Sequence, residues 1–101
     1  MSVVRMISYW EGSEHSQFIK NATAIKQIWL RHGATEFRIA RMHTGQSTGQ
    51  YEVSITFPNW KTFGKASQGA TTDAEFLKMM NASYANGRMT SRNITVEIDL
   101  D

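Results

Sequence analysis

Apolar residues recur along this chain with two alternating rhythms. A period of two runs through Val3–Trp10 (VVRMISYW), Glu36–His43 (EFRIARMH), Tyr51–Phe57 (YEVSITF) and Asn93–Leu100 (NITVEIDL). β-Branched and aromatic residues at that spacing predict strands. In the third, Tyr51, Val53, Ile55 and Phe57 share one side and Glu52, Ser54 and Thr56 the other. Between the first two strands the step changes to three and four. Phe18, Ala22, Ile25 and Trp29, with Ile28 beside them, mark one stripe of an amphipathic helix. Ser13 is the expected N-cap, Glu14 falls in the first turn, and Gly33 after His32 supplies the stop. Beyond Phe57, Pro58 closes the strand and Asn59 is placed to cap a helix from Trp60. Gly69 interrupts that helix. Thr72-Asp73-Ala74-Glu75 has the form of a capping box with Thr72 as cap, restarting a helix whose stripe is Phe76, Met80 and Tyr84 and which Gly87 ends.

The order β-α-β-β-α-β predicts an α+β, ferredoxin-like fold: a four-stranded antiparallel sheet, order 4-1-3-2, with its helices on one face. At 101 residues this makes one domain spanning 1–101. TGQSTGQ, with its two glycines, reads as a hairpin loop. Pairing about Ser47 sets Phe37 against Phe57, Ile39 against Ile55, Arg41 against Val53 and His43 against Tyr51. The side without helices then carries Arg38, Ala40, Met42, Glu52, Ser54, Thr56, Thr95 and Glu97, with alternate residues of the first strand. So mixed a surface suits two-fold, sheet-to-sheet pairing with Arg38 against Glu52 or Glu97. A solvated face is the alternative, since antiparallel sheets tolerate one.

Charge and composition narrow the partners. Eleven basic and nine acidic residues are interspersed, net charge +2, without the basic stripe that phosphate binding requires. The chain has no cysteine, which excludes disulfides and thiolate chemistry. MSVVRMISYWEG lacks a long apolar run behind a basic lead, so neither export nor a membrane partner is expected, and the cytoplasm is the default location. Three histidines far apart give no metal-ligand spacing, and no phosphate loop or nucleophile elbow is present, so no metal or cofactor is expected.

Chemistry gathers at one end of the predicted fold. The close of strand one brings Tyr9 and Trp10, the start of the first helix His15 and Phe18, the hairpin Arg41, His43 and Tyr51, and the last helix Met80 and Tyr84. Arg41 suits a carboxylate, and His43 or His15 can exchange a proton near neutral pH. With Phe18, Ile39, Val53, Phe76 and Met80 as an apolar wall, the group describes a pocket between sheet and helices. The same residues would also sit at a sheet rim in contact with water.

The segments ITFPNWKTFGKA and TTDAEFLKMM make the chain resemble the dimeric α/β-barrel superfamily, which includes antibiotic-biosynthesis-type monooxygenases and NIPSNAP-like proteins. That resemblance implies a homodimer with one ligand pocket per subunit. Haem-degrading members carry a histidine on the second helical region, whereas Trp60–Asn86 here contains none. Cofactor-free oxygenase members use Asn, Trp, Tyr and Arg around an aromatic substrate; Tyr51, Arg41, Trp10 and Tyr84 offer similar groups. Three functions are thus expected to compete. They are binding of a fatty-acid-like or aromatic acid, a cofactor-independent monooxygenase or isomerase reaction in the same pocket, and a structural dimer without ligand.

Overall fold

The first strand, β1 (Val4–Gly12), buries Val4, Met6, Ser8 and Trp10, leaving Arg5, Ile7 and Tyr9 half-buried on the other side. This alternation decides which way the whole sheet faces. The computed structural model describes residues 2–12, 14–46 and 48–100. After β1 come α1 (His15–Arg31), β2 (Glu36–Arg41), β3 (Tyr51–Phe57), α2 (Trp60–Thr71), α3 (Ala74–Asn86) and β4 (Gly87–Val96). All strand pairs are antiparallel in the order β2-β3-β1-β4, the expected 4-1-3-2 read from the opposite edge. The fold is ferredoxin-like, its second helical segment divided in two.

α1 buries the predicted stripe Phe18, Ala22, Ile25, Ile28 and Trp29, together with Asn21, whose side-chain carbonyl accepts a hydrogen bond from Gln17 at 2.9 Å. Burying that amide satisfied avoids the penalty of an unpaired polar group. β3 packs under α1 and α2 through an aromatic cluster. Phe57, fully buried, takes Trp29 edge-on at 5.7 Å and Phe63 at 5.2 Å. Asn59 caps α2 as expected, its side chain accepting from the Thr62 N–H at 2.8 Å.

Three expectations need correction. The hairpin pairs Arg41 with Tyr51, Ile39 with Val53 and Phe37 with Ile55, two residues away from the register centred on Ser47. Bonds from the Met42 N–H to the Gln50 carbonyl (2.9 Å) and from the Gly49 N–H to the Met42 carbonyl (2.8 Å) extend it. A shift of two keeps every side chain on its face, so burial is indifferent to it and the turn decides. Gly45 and Gly49 both have positive φ, and Thr48 bonds back to the Gly45 carbonyl. Ser47 itself, like the expected cap Ser13, lies outside the described residues.

Second, β4 starts at Gly87 and ends at Val96, rather than spanning Asn93–Leu100. It pairs with β1 from Gly12↔Gly87 to Val4↔Val96, with an irregularity at Tyr9/Trp10. Where β1 runs out the ladder stops, and Ile98 and Leu100 are left 79% and 92% exposed.

Third, α3 is capped by Asp73, not Thr72. Its carboxylate accepts from the N–H groups of Glu75 (3.0 Å) and Phe76 (3.4 Å), whereas the Thr72 hydroxyl donates back to Gln68 and Gly69. Asp73 also receives His32 Nε2 at 2.8 Å and Arg31 Nη2 at 2.8 Å, tying the end of α1 to the start of α3. These bonds, the one from His32 first and that from Arg31 next, hold the Asp73 carboxyl well below the ordinary carboxylate range. A depressed carboxyl contributes stability above its unfolded-state value, and that contribution is lost as the pH falls toward the folded-state value. Acid titration of the urea midpoint should therefore show stability declining below about pH 4. In Asp73→Asn, which keeps a capping side chain, the midpoint should be lower at neutral pH and the acid decline shallower. Parallel curves for the two proteins would contradict this.

Candidate functional site

Between the sheet and the helices lies a cavity of about 60 Å³. β1 supplies Met6, Ser8 and Trp10, and α1 supplies Phe18, Ala22, Ile25 and Trp29. Phe37 enters from β2, Val53 and Ile55 from β3, and Phe76, Met80 and Ser83 from α3. Arg92 of β4 completes the lining and is its one exposed member, so the cavity opens beside β4. The opening has an aromatic neighbour: the half-exposed ring of Tyr84 leans on Trp10 at 5.5 Å.

A second, polar group stands next to this cavity. Tyr51 is 3% exposed and its ring stacks on Phe18 at 4.2 Å. Its hydroxyl is hydrogen-bonded to His15 Nδ1 and accepts from Arg41 Nη1 at 3.2 Å. The Arg41 guanidinium also rides over the tyrosine ring, 4.9 Å from its centre, a cation–π geometry. The arrangement follows from sequence and topology. Tyr51 starts β3, Arg41 ends β2 opposite it, and His15 opens α1 three residues before the Phe18 on which Tyr51 stacks. Phe18 touches both centres; Tyr51 has no place in the cavity wall.

The expected site residues thus divide. Trp10, Phe18, Val53, Phe76 and Met80 line the cavity, and Tyr84 packs at its edge. Ile39 is half-buried against the core, opposite Val53 in the ladder. The expected Arg41–His43–Tyr51 group is replaced by Arg41–His15–Tyr51, because the hairpin register gives Tyr51 the partner Arg41 and leaves His43 exposed beyond β2. Tyr9 points to the face without helices, where it donates to Glu52 at 3.0 Å; that bond is the main reason its phenol is raised above the ordinary value. Among the described residues no cluster of His, Asp and Glu could hold a metal ion.

Sequence reasoning missed Ser8, Ser83 and Arg92. A strand begun at Asn93 omits Arg92, yet Arg92, Ile94 and Val96 form one alternating set opposite Ser8, Met6 and Val4. Extending the period of two upstream from Ile94 would have found it.

Solved structures share this fold across nearly the whole chain. SnoaB, a cofactor-independent oxygenase from Streptomyces nogalater, superimposes with a TM-score of 0.71 at 12% identity, covering 100% of this chain and 96% of its own. A NIPSNAP domain protein from Burkholderia xenovorans gives 0.73 at 10% identity, with 96% and 93% covered. A Bordetella bronchiseptica protein provisionally assigned to the antibiotic biosynthesis monooxygenases gives 0.67 at 10% identity, with 99% of each chain covered. At such identities the likeness is one of fold. No protein-family model matches the chain, and no curated protein matches it either.

Proposed function

We propose that the chain, as one domain over 1–101, forms a homodimer whose subunits each bind a largely apolar small organic molecule bearing one acidic or carbonyl group. The observation that carries this reading is the apolar cavity with a single exposed, cationic lining residue. Its size bears on the ligand. An apolar cavity of roughly 150 Å³ admits benzene, so about 60 Å³ admits the inner methylenes of a slim alkyl chain rather than a fused ring system, and a longer chain requires the wall to give. Met80 in its wall, and Met79 packed behind, are side chains that can reshape to follow a chain. A fatty-acid-like ligand is therefore favoured over an aromatic acid.

The sheet face without helices is the proposed dimer surface. Arg5, Arg38, Glu36 and Glu52 carry both signs there, around Ala40, Ser54 and Thr56. A two-fold axis brings each patch against its own copy, which such mixed charge permits. No described helix is long and apolar enough to cross a membrane. We read the protein as cytoplasmic, without nucleic-acid or membrane partners.

Filling the cavity tests the binding reading. Ala22 is buried in its wall, and leucine at that position places an isobutyl group in the space. Ala22→Leu should fold, yet bind decanol at least about tenfold more weakly by calorimetry, a loss of about 1.4 kcal/mol. Undiminished binding by the folded variant would remove the cavity from consideration. Native mass spectrometry should show the dimer.

One observation favours a second reading, a cofactor-independent oxygenase or isomerase. A tyrosine hydroxyl held between an imidazole and a guanidinium can relay a proton beside an apolar site, and the fold is shared with a protein described as a cofactor-independent oxygenase. Oxygen uptake with a polycyclic phenol, abolished in Tyr51→Phe, is its test.

A further inference from the structure

The cavity wall is apolar except along one arc, where Ser8, Arg92 and Ser83 enter from β1, β4 and α3. Ser8 and Arg92 are cross-strand partners, so their positions are fixed together by the β1–β4 ladder. Ser8 Oγ accepts a hydrogen bond from Trp10 Nε1 at 2.9 Å, which leaves its hydroxyl proton free to be donated. Ser83 is the reverse: its hydroxyl donates to the Met79 carbonyl at 2.9 Å and retains only lone pairs. Arg92 differs from every other arginine of the chain. Arg5, Arg31, Arg38 and Arg88 pair with carboxylates, and Arg41 is engaged by Tyr51. The Arg92 guanidinium has no hydrogen-bond or ion-pair partner among the described residues.

Resting on the reading of the cavity as a ligand site, we propose that Arg92, with the Ser8 hydroxyl beside it, is the anion anchor that makes the ligand an amphiphilic carboxylate. The acid group lies at the β4 side of the cavity, and the alkyl chain runs inward toward Met6, Ile25 and Trp29. Two donors on neighbouring strands match the two oxygens of a carboxylate, and a guanidinium holds such a group more strongly than a neutral donor does. Being exposed, Arg92 costs little to keep charged while the site is empty. A bound alkyl chain displaces water from the opening and strengthens the pairing. Arg41 is poorly placed for this task, since it is committed to Tyr51 and Phe18 lies on the cavity side of that ring.

Calorimetric titration of decanoate and decanol, both below their micelle concentrations, into the full chain separates the alternatives. The wild-type protein should prefer decanoate by about tenfold or more. Arg92→Gln should abolish that preference, weakening decanoate by about tenfold or more and decanol far less. Arg41→Gln should preserve it. A preference that survives in Arg92→Gln, disappears in Arg41→Gln, or is absent from the wild type overturns the assignment of Arg92 while leaving the cavity as a binding site. Failure of both amphiphiles to bind the wild type overturns the cavity reading and this inference together.

Discussion

Phe57→Ala is expected to lower the free energy of unfolding by about 3–5 kcal/mol, the usual cost of removing a buried aromatic ring. Few positions in the chain are so enclosed. Phe57 is fully buried, sits opposite the equally buried Val4 across β3 and β1, and holds Trp29 and Phe63 edge-on at 5.7 and 5.2 Å. It therefore joins the sheet to α1 and α2 at once, and Trp29 passes the contact on to Phe76 of α3 at 5.4 Å. Removing the ring leaves a cavity, whose cost adds to the transfer term. Domains of this size have about 5–15 kcal/mol in total, so the loss takes between about a fifth of the wild-type stability and nearly all of it, and the urea midpoint should fall in proportion. Trp60→Ala is the control: Trp60 is 53% exposed and meets Phe63 from the solvent side, and its loss should cost about 1 kcal/mol or less. Urea titrations followed by circular dichroism distinguish the two. Equal midpoints for both variants would mean that the core is not centred on Phe57.

What could be read from the sequence, and what could not, follows from how each element is held. β1, β3 and α1 each bury one face against the others, so their periodicity declares both their type and their direction. The β2–β3 register escapes the same logic, because a shift of two residues leaves Phe37, Ile39 and Arg41 on the same face as before. β4 escapes it for another reason. Its first half, GRMTSR, is held by hydrogen bonds to β1 and, apart from Met89 on the core, hardly by burial, and an edge strand of that kind shows no apolar alternation. The consequences for the site are direct. Arg92 continues the alternating set of Ile94 and Val96 but is not itself apolar, so the apolar pattern that marks the strand starts after it, and Arg41 meets Tyr51 only in the register that the hydrophobic pattern cannot choose. Asp73 and Thr72 compete as caps one residue apart, and the decision rests with Arg31 and His32, more than forty positions distant in sequence.

Gly87→Ala should destabilise the protein by about 1–3 kcal/mol, the range for forcing extra volume into a packed site. The reason is proximity, since the backbone at Gly87 is extended, a conformation open to any residue. A methyl group there would come 2.5 Å from the Glu11 carbonyl oxygen and 3.4 Å from the Gly12 Cα. Both obstacles are backbone atoms of the paired strand, so no side-chain rotation relieves the overlap and the first rungs of the β1–β4 ladder have to part. The Arg88–Glu11 ion pair at 3.2 Å spans the same rungs. The damage reaches the site, because α3 runs into β4 at this point and carries Ser83 and Met80, while Trp10 pairs with Met89 just beyond. Hydrogen exchange should therefore quicken in β4 before the rest of the sheet, and decanol binding should weaken with it. Gly64→Ala supplies the opposite sign: a methyl group there meets nothing within 4 Å, and alanine within a helix is favoured by about 0.5–1 kcal/mol. A pair of variants with the same chemical change and midpoints moving in opposite directions would locate the strain at the α3–β4 junction. Gly87→Ala as stable as the wild type would show that the two strands do not approach so closely, and that the β1–β4 edge of the cavity is looser than these distances require.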